Sequence, residues 1–164
     1  MTAFTQNIVA TFPSKLQVYA LKPGGEQALM TSDNVTIGYD NLQMTGELLL
    51  NTLQTNDVIL KNLLDSAITD RITFSGIIPE GRFAFGDALN EQFTVETELM
   101  YGEQQSRIIL NFNVSNRKTS LSNTFDITGS GSISLRDDLG ITRGTGLEDK
   151  ISFQFFQNVQ TKTY

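Results

Sequence analysis

The chain of 164 residues has no cysteine, no histidine and no tryptophan, and only three prolines. Without cysteine there are no disulfides and no thiolate nucleophile, and the compartment stays open because oxidising and reducing environments both tolerate such chains. Without histidine the usual general base and the commonest metal ligand are missing. Ser-His-Asp, Cys-His and zinc sites therefore cannot be built, and no cofactor is expected. Positive charge is scarce as well: 12 Lys and Arg stand against 18 Asp and Glu, a net −6. The longest basic run is Arg117-Lys118, so nucleic acid, which demands clustered cations, is excluded as a partner. Long apolar runs are absent too. Glu47 and Asn51 interrupt the stretch around Leu48, Leu49 and Leu50, far short of the ~18 residues that span a bilayer. Residues 1–12 show no basic segment followed by an apolar one, so no signal peptide is seen. A cytoplasmic location is expected, or a periplasmic one if a leader has been removed.

What the chain does contain is alternation. Phe125, Ile127, Ile133 and Leu135 share one face with Gly129 and Gly131, while Asp126, Thr128, Ser130, Ser132 and Ser134 share the other. That period of two marks a half-buried strand. The same pattern returns in Phe93, Val95, Leu99 and Tyr101, in Ile108, Leu110, Phe112 and Val114, and in Ile151, Phe153 and Phe155. It also fits Leu16, Val18 and Ala20, then Val35, Ile37 and Tyr39, then Leu42, Met44, Gly46, Leu48 and Leu50, then Ile72, Phe74, Gly76 and Ile78. Turn signals separate these runs: Lys22-Pro23-Gly24-Gly25, Asp40-Asn41, Pro79-Glu80-Gly81 and Gly102-Glu103-Gln104-Gln105. Residues 116–123 read as a polar connection, 137–146 as a glycine-bearing loop, and 82–86 as a brief ninth strand or a bend.

One segment leaves the pattern. Between 56 and 65, Val58, Ile59, Asn62 and Leu63 fall at helical spacing, and Thr55, Asn56 or Asp57 is placed to cap the first turn. The expectation is an all-β antiparallel barrel or sandwich of eight strands with one short helix. Residues 15–164 read as a single domain behind an N-terminal extension, 1–14, in which Phe4, Ile8, Val9 and Phe12 suggest some packing. A domain of this length buries roughly 70% of the surface of its unfolded chain, enough for a core without staples.

The remaining reactive groups are carboxylates. Asp137-Asp138, Glu96 with Glu98, and Glu148-Asp149 are pairs to be weighed for calcium or acid-base chemistry against plain solvated charge, which is the simpler account. Gly129-Ser130-Gly131 and Gly144-Thr145-Gly146 lack the helix and the lysine that a phosphate loop requires. Gly46, Gly76, Gly129 and Gly131 all lie in phase with apolar neighbours, where a glycine marks either a bend of the sheet or interior space left for a guest.

The order of these features resembles the YceI-like family. LLLNTLQTNDVILKNLL at 48–64 is similar to that family's strand, turn and short helix with a leucine pair, and DRITFSG at 70–76 to its following strand. TFDITGSGSISLRDDLGI at 124–141 resembles the family's long strand, and LEDKISFQFFQNV at 147–159 its closing strand. The resemblance covers 42–159; the first forty residues stand outside it. It implies a lipocalin-like antiparallel barrel that encloses a long apolar ligand such as a polyisoprenoid.

The leading reading is then a non-catalytic binding protein whose barrel takes up an isoprenoid or other lipid. Its interior set is Phe74, Phe93, Val95, Leu99, Ile108, Leu110, Phe112, Phe125, Ile127, Ile133, Phe153 and Phe155, with Gly129 and Gly131 leaving room, and for any one of these plain core is the competing account. The alternative is an assembly or interaction module with a solid barrel, whose out-of-phase Ile109 and Phe156 form a patch for a partner or a homodimer. A cofactor-free enzyme using carboxylates ranks last.

Overall fold

A strand with one apolar face must cover that face, and an antiparallel sheet does so most completely by closing on itself. The structure, a computed structural model, describes residues 9–40, 42–79, 90–118 and 122–162. Its strands are β1 (Val9–Leu21), β2 (Gln27–Asp40), β3 (Gln43–Leu49), β4 (Arg71–Ile77), β5 (Asn90–Tyr101), β6 (Gln104–Lys118), β7 (Ser122–Ser134) and β8 (Lys150–Lys162). Each pairs with the next, and β1 pairs with β8, giving a closed up-and-down barrel of eight antiparallel strands. The closing seam sets Leu16 opposite Phe155 and Val18 opposite Phe153. A 3-10 turn, Leu50–Thr52, leads from β3 to the α-helix among the described residues, α1 (Val58–Asp65). The all-β, eight-stranded, lipocalin-like barrel, with one short α-helix among the described residues, is thus the observed fold.

β1 begins at Val9, well ahead of residue 15, so that part of the segment read as an extension is barrel wall. Pro13 and the polar residues around it hide that strand from a pattern of alternation. Pro13 pairs with Thr36 directly before a register shift, where Ser14 faces Val35 but Leu16 faces Ser32. Lys15 is therefore matched by two residues, Asp33 and Asn34, which is a β-bulge, and strands carry proline beside such bulges. The bulge also explains why the first half of β2 escaped the pattern. Ala28, Met30 and Ser32 point inward before it, and Val35, Ile37 and Tyr39 after it, so the extra residue flips the phase midway. Similarly β6 and β7 run further into 116–123 than the polar residues there suggest. The brief strand expected at 82–86 lies outside the described residues.

The helix forms where expected but turns a different face inward. Asp57 is its N-cap, accepting a 3.0 Å bond from the Leu60 N–H. Leu60 is fully buried and Leu63 and Leu64 pack on the core, whereas Val58 and Asn62 are exposed. Positions 60, 63 and 64 are one i, i+3, i+4 stripe and cover one end of the barrel; the stripe read from Val58 and Asn62 begins two residues too early.

Candidate functional site

On every strand the inward residues divide into two sets along the barrel axis. At the helix-covered end they surround a cavity of about 130 Å³; towards the other end they close into solid core. The last residue to reach the cavity is Leu16 on β1, Val35 on β2, Thr97 on β5, Leu110 on β6 and Phe155 on β8. The next inward residues beyond them, Ser14, Ile37, Val95, Phe112 and Gln157, are buried without touching it. Those five lining side chains are the floor. Leu50, Leu53, Leu63, Leu64 and Ala67 form the roof.

The interior set expected from the sequence is therefore split. Phe74, Leu99, Ile108, Leu110, Ile133, Phe153 and Phe155 line the cavity. Phe93, Val95, Phe112, Phe125 and Ile127 belong to the packed half. There the Phe93 and Phe112 rings stack with centroids 5.3 Å apart, and Phe112 meets Phe155 edge to face at 5.7 Å. Roof residues such as Leu53, Leu63, Leu64 and Ala67 were missed. For Leu63 and Leu64 the signal was the leucine pair of the helix, which an i, i+3, i+4 count from Leu60 finds; Leu53 and Ala67 lie outside the helix and carry no such signal.

Phenylalanine rings lie across three of the inward glycines. Gly46 pairs with Phe74, Gly129 with Phe155 and Gly131 with Phe153. A Cβ built on Gly46 would lie 2.0 Å from the Phe74 ring, one on Gly129 2.1 Å from that of Phe155, and one on Gly131 3.0 Å from that of Phe153. Each ring lies across its cross-strand glycine, the arrangement by which an aromatic covers a bare stretch of sheet. Gly129 and Gly131 hence do not line the cavity. Gly76 differs, because its Cβ would meet the backbone oxygen of Glu96 and Val95 Cγ1, each at 2.8 Å.

The cavity is almost wholly hydrocarbon. Its polar liners are Thr97, whose hydroxyl donates to the Val95 carbonyl at 3.1 Å, and Tyr101, whose hydroxyl accepts from the Ile68 N–H at 3.1 Å. Both hydroxyls are engaged with backbone. Around the segment 66–70 surface grooves border the cavity: one shares Leu50, Leu53, Leu64 and Ala67 with it, and one on the other side shares Tyr101, Leu139 and Ile141. This cover is fastened at both ends. Lys22 Nζ lies 2.5 Å from Asp57 Oδ2, and the Arg143 guanidinium donates to the Ser66 hydroxyl. The hydrogen bond between Lys22 and Asp57 holds the carboxyl below its usual range and the amine above its own, and the Leu60 N–H lowers Asp57 further.

Two carboxylates from the acidic pairs, Asp138 and Asp149, brace the backbone. Asp138 accepts from the Ser106 hydroxyl and, at 2.6 Å, from the Ser134 N–H. Asp149 accepts from the Ser134 hydroxyl at 2.5 Å and the Arg136 N–H at 2.9 Å, which lowers its pKa. Both pin the loop after β7. Glu96 and Glu98 are exposed on the outer face. Ile109 and Phe156 are outward and 49% and 39% exposed, but Asn111, Asn113, Thr128 and Ser130 stand between them in the register, so they do not make one patch. Among the described residues no helix is long and apolar enough to cross a membrane.

No family model and no curated protein matches the chain. Among solved structures it is similar to a polyisoprenoid binding domain from Saccharophagus degradans implicated in plant cell wall breakdown, with a TM-score of 0.68 and 13% identity over 94% of this chain and 99% of that one. It is also similar to BcnA of Burkholderia cenocepacia, with a TM-score of 0.59 and 13% identity over 89% of this chain and 96% of the other. At that identity the likeness is one of fold. The sequence resemblance to the YceI-like family, which implies such a barrel, is met at that level.

Proposed function

We propose that this protein binds an apolar isoprenoid or lipid chain in the cavity beneath α1 and performs no chemistry on it. The observation that carries the reading is the lining: a cavity at one end of the barrel, walled by aliphatic and aromatic side chains, whose two hydroxyls are already bonded to backbone. Such a surface rewards hydrocarbon and offers nothing to a polar group. The fold shared with a polyisoprenoid binding domain supports the same class of guest.

The volume of about 130 Å³ is close to the ~150 Å³ of an engineered cavity that holds benzene, and below the ~300 Å³ at which pockets for larger ligands begin. An elongated guest thus enters by its hydrocarbon end, with the remainder passing out beside residues 66–70, where surface grooves border the cavity. Native mass spectrometry of freshly purified protein tests this directly, together with titration by a fluorescent isoprenoid or fatty acid. A lipid-sized adduct, saturable binding with little salt dependence and a negative heat-capacity change are expected. No adduct and no saturable binding would overturn the reading and leave the assembly module in its place.

A further inference from the structure

We infer that Phe155 is the residue that fixes how far a hydrocarbon chain penetrates the barrel, so that the protein selects its guests by the length they can bury. The inference rests on the binding reading above. Phe155 is the deepest cavity-lining residue of β8, and the next inward residue on that strand, Gln157, is buried outside the cavity. Its ring lies over Gly129 and so extends sideways to cover wall that would otherwise be bare backbone. Beneath it stands the edge-to-face ring of Phe112, itself stacked on Phe93. A chain end arriving from the helix end meets the Phe155 ring, which packs against the buried ring of Phe112 and, through it, that of Phe93. The other floor residues, Leu16, Val35, Thr97 and Leu110, are smaller, and none of them lays a ring across a glycine.

The seat also gives a way to move the floor in either direction. Removing the ring, as in Phe155→Ala, opens the space above Gly129 and Phe112 and admits the room of roughly one more isoprene unit. Adding a methyl at Gly129 does the opposite. A Cβ 2.1 Å from the ring forces it off its seat, and the cavity is the open space beside it, so the floor rises.

The experiment is a displacement titration of a bound fluorescent fatty acid by straight-chain alcohols of increasing length, on the wild type, Phe155→Ala, Phe155→Leu and Gly129→Ala, with circular dichroism and melting curves to establish folding. In the wild type, affinity should rise about four-fold per methylene while the chain is entering dry space, then level off once further carbons remain outside. Phe155→Ala should move the levelling point to longer chains, Phe155→Leu in the same direction by less, and Gly129→Ala to shorter ones. An unchanged levelling point in folded variants that still bind would overturn the assignment of Phe155. Absence of binding by the wild type at every length would overturn the binding reading itself, which separates the two failures.

Discussion

The Tyr39 hydroxyl donates a 2.6 Å hydrogen bond to Gln157 Oε1, joining β2 to β8 through the packed half of the barrel, 118 residues apart in the chain. Gln157 in turn donates from Nε2 to the Ile37 carbonyl at 3.3 Å. Burial pushes the Tyr39 pKa up, so the group stays a neutral donor at any ordinary pH.

Tyr39→Phe removes that donor from a buried acceptor and should cost about 1–3 kcal/mol in urea unfolding. Ser14→Ala is the contrast. The Ser14 hydroxyl is buried with no hydrogen-bond partner among the described residues, so its removal should be neutral or slightly stabilising. Equal losses in the two variants would contradict this difference in bonding.

Asp57→Asn keeps an oxygen to cap α1 but loses the charge that meets Lys22. The folded carboxyl has a lowered pKa, so its contribution is present above the ordinary carboxylate range and is lost as pH falls through that range towards the lowered value. The amine is raised, so its share disappears only as pH climbs past the ordinary lysine range. The variant should melt below the wild type at pH 7, and the gap should close in acid. A gap independent of pH would show that charge is not what fastens the cover.

Distance alone ranks Gly46→Ala as the worse clash, 2.0 Å against 2.8 Å for Gly76→Ala. What is struck reverses the order. At Gly46 the obstacle is the tip of the half-buried Phe74 ring beside the cavity, which can swing away; at Gly76 it is the Glu96 carbonyl within the wall and the buried Val95. Gly76→Ala should cost about 1–3 kcal/mol and Gly46→Ala less, measured by chemical denaturation.

Ile127→Asp and Phe112→Asp place a carboxylate in dry core and should unfold the protein, since the cost of several kcal/mol rivals a total stability of about 5–15 kcal/mol. Asp126→Asn and Ser132→Ala, on the outer face, should stay within about 0.5 kcal/mol. Far-ultraviolet circular dichroism and thermal melts on the four variants decide it.

Strand faces were legible wherever alternation ran unbroken, as from Phe125 to Ile127 or Phe93 to Val95, because period two alone assigns inside and outside. Ala28, Met30 and Ser32 were not, since an extra residue at the bulge sets them out of phase with Val35 and a pattern search sees only noise. The cavity was half legible. Alternation shows that Phe112 and Phe155 both point inward, but which is lining and which is plug depends on height along the axis, and that is a property of register. Register likewise decided the glycines: the chain shows that Gly129 is inward, and only the pairing shows that Phe155 is its tenant.

The seam between β1 and β8 bears on how the molecule is made. The wall cannot close until residues 150–162 have emerged from the ribosome, because the partner of Leu16 is Phe155. Until then β1 and β7 both present unpaired edges, and all eight strands must be synthesised before the most distant contacts can form. Such a topology, dominated by contacts distant in sequence, folds slowly. The exposed interval is the time in which a nascent barrel is open to pairing with a neighbour, or to loading a hydrocarbon chain before the wall is shut.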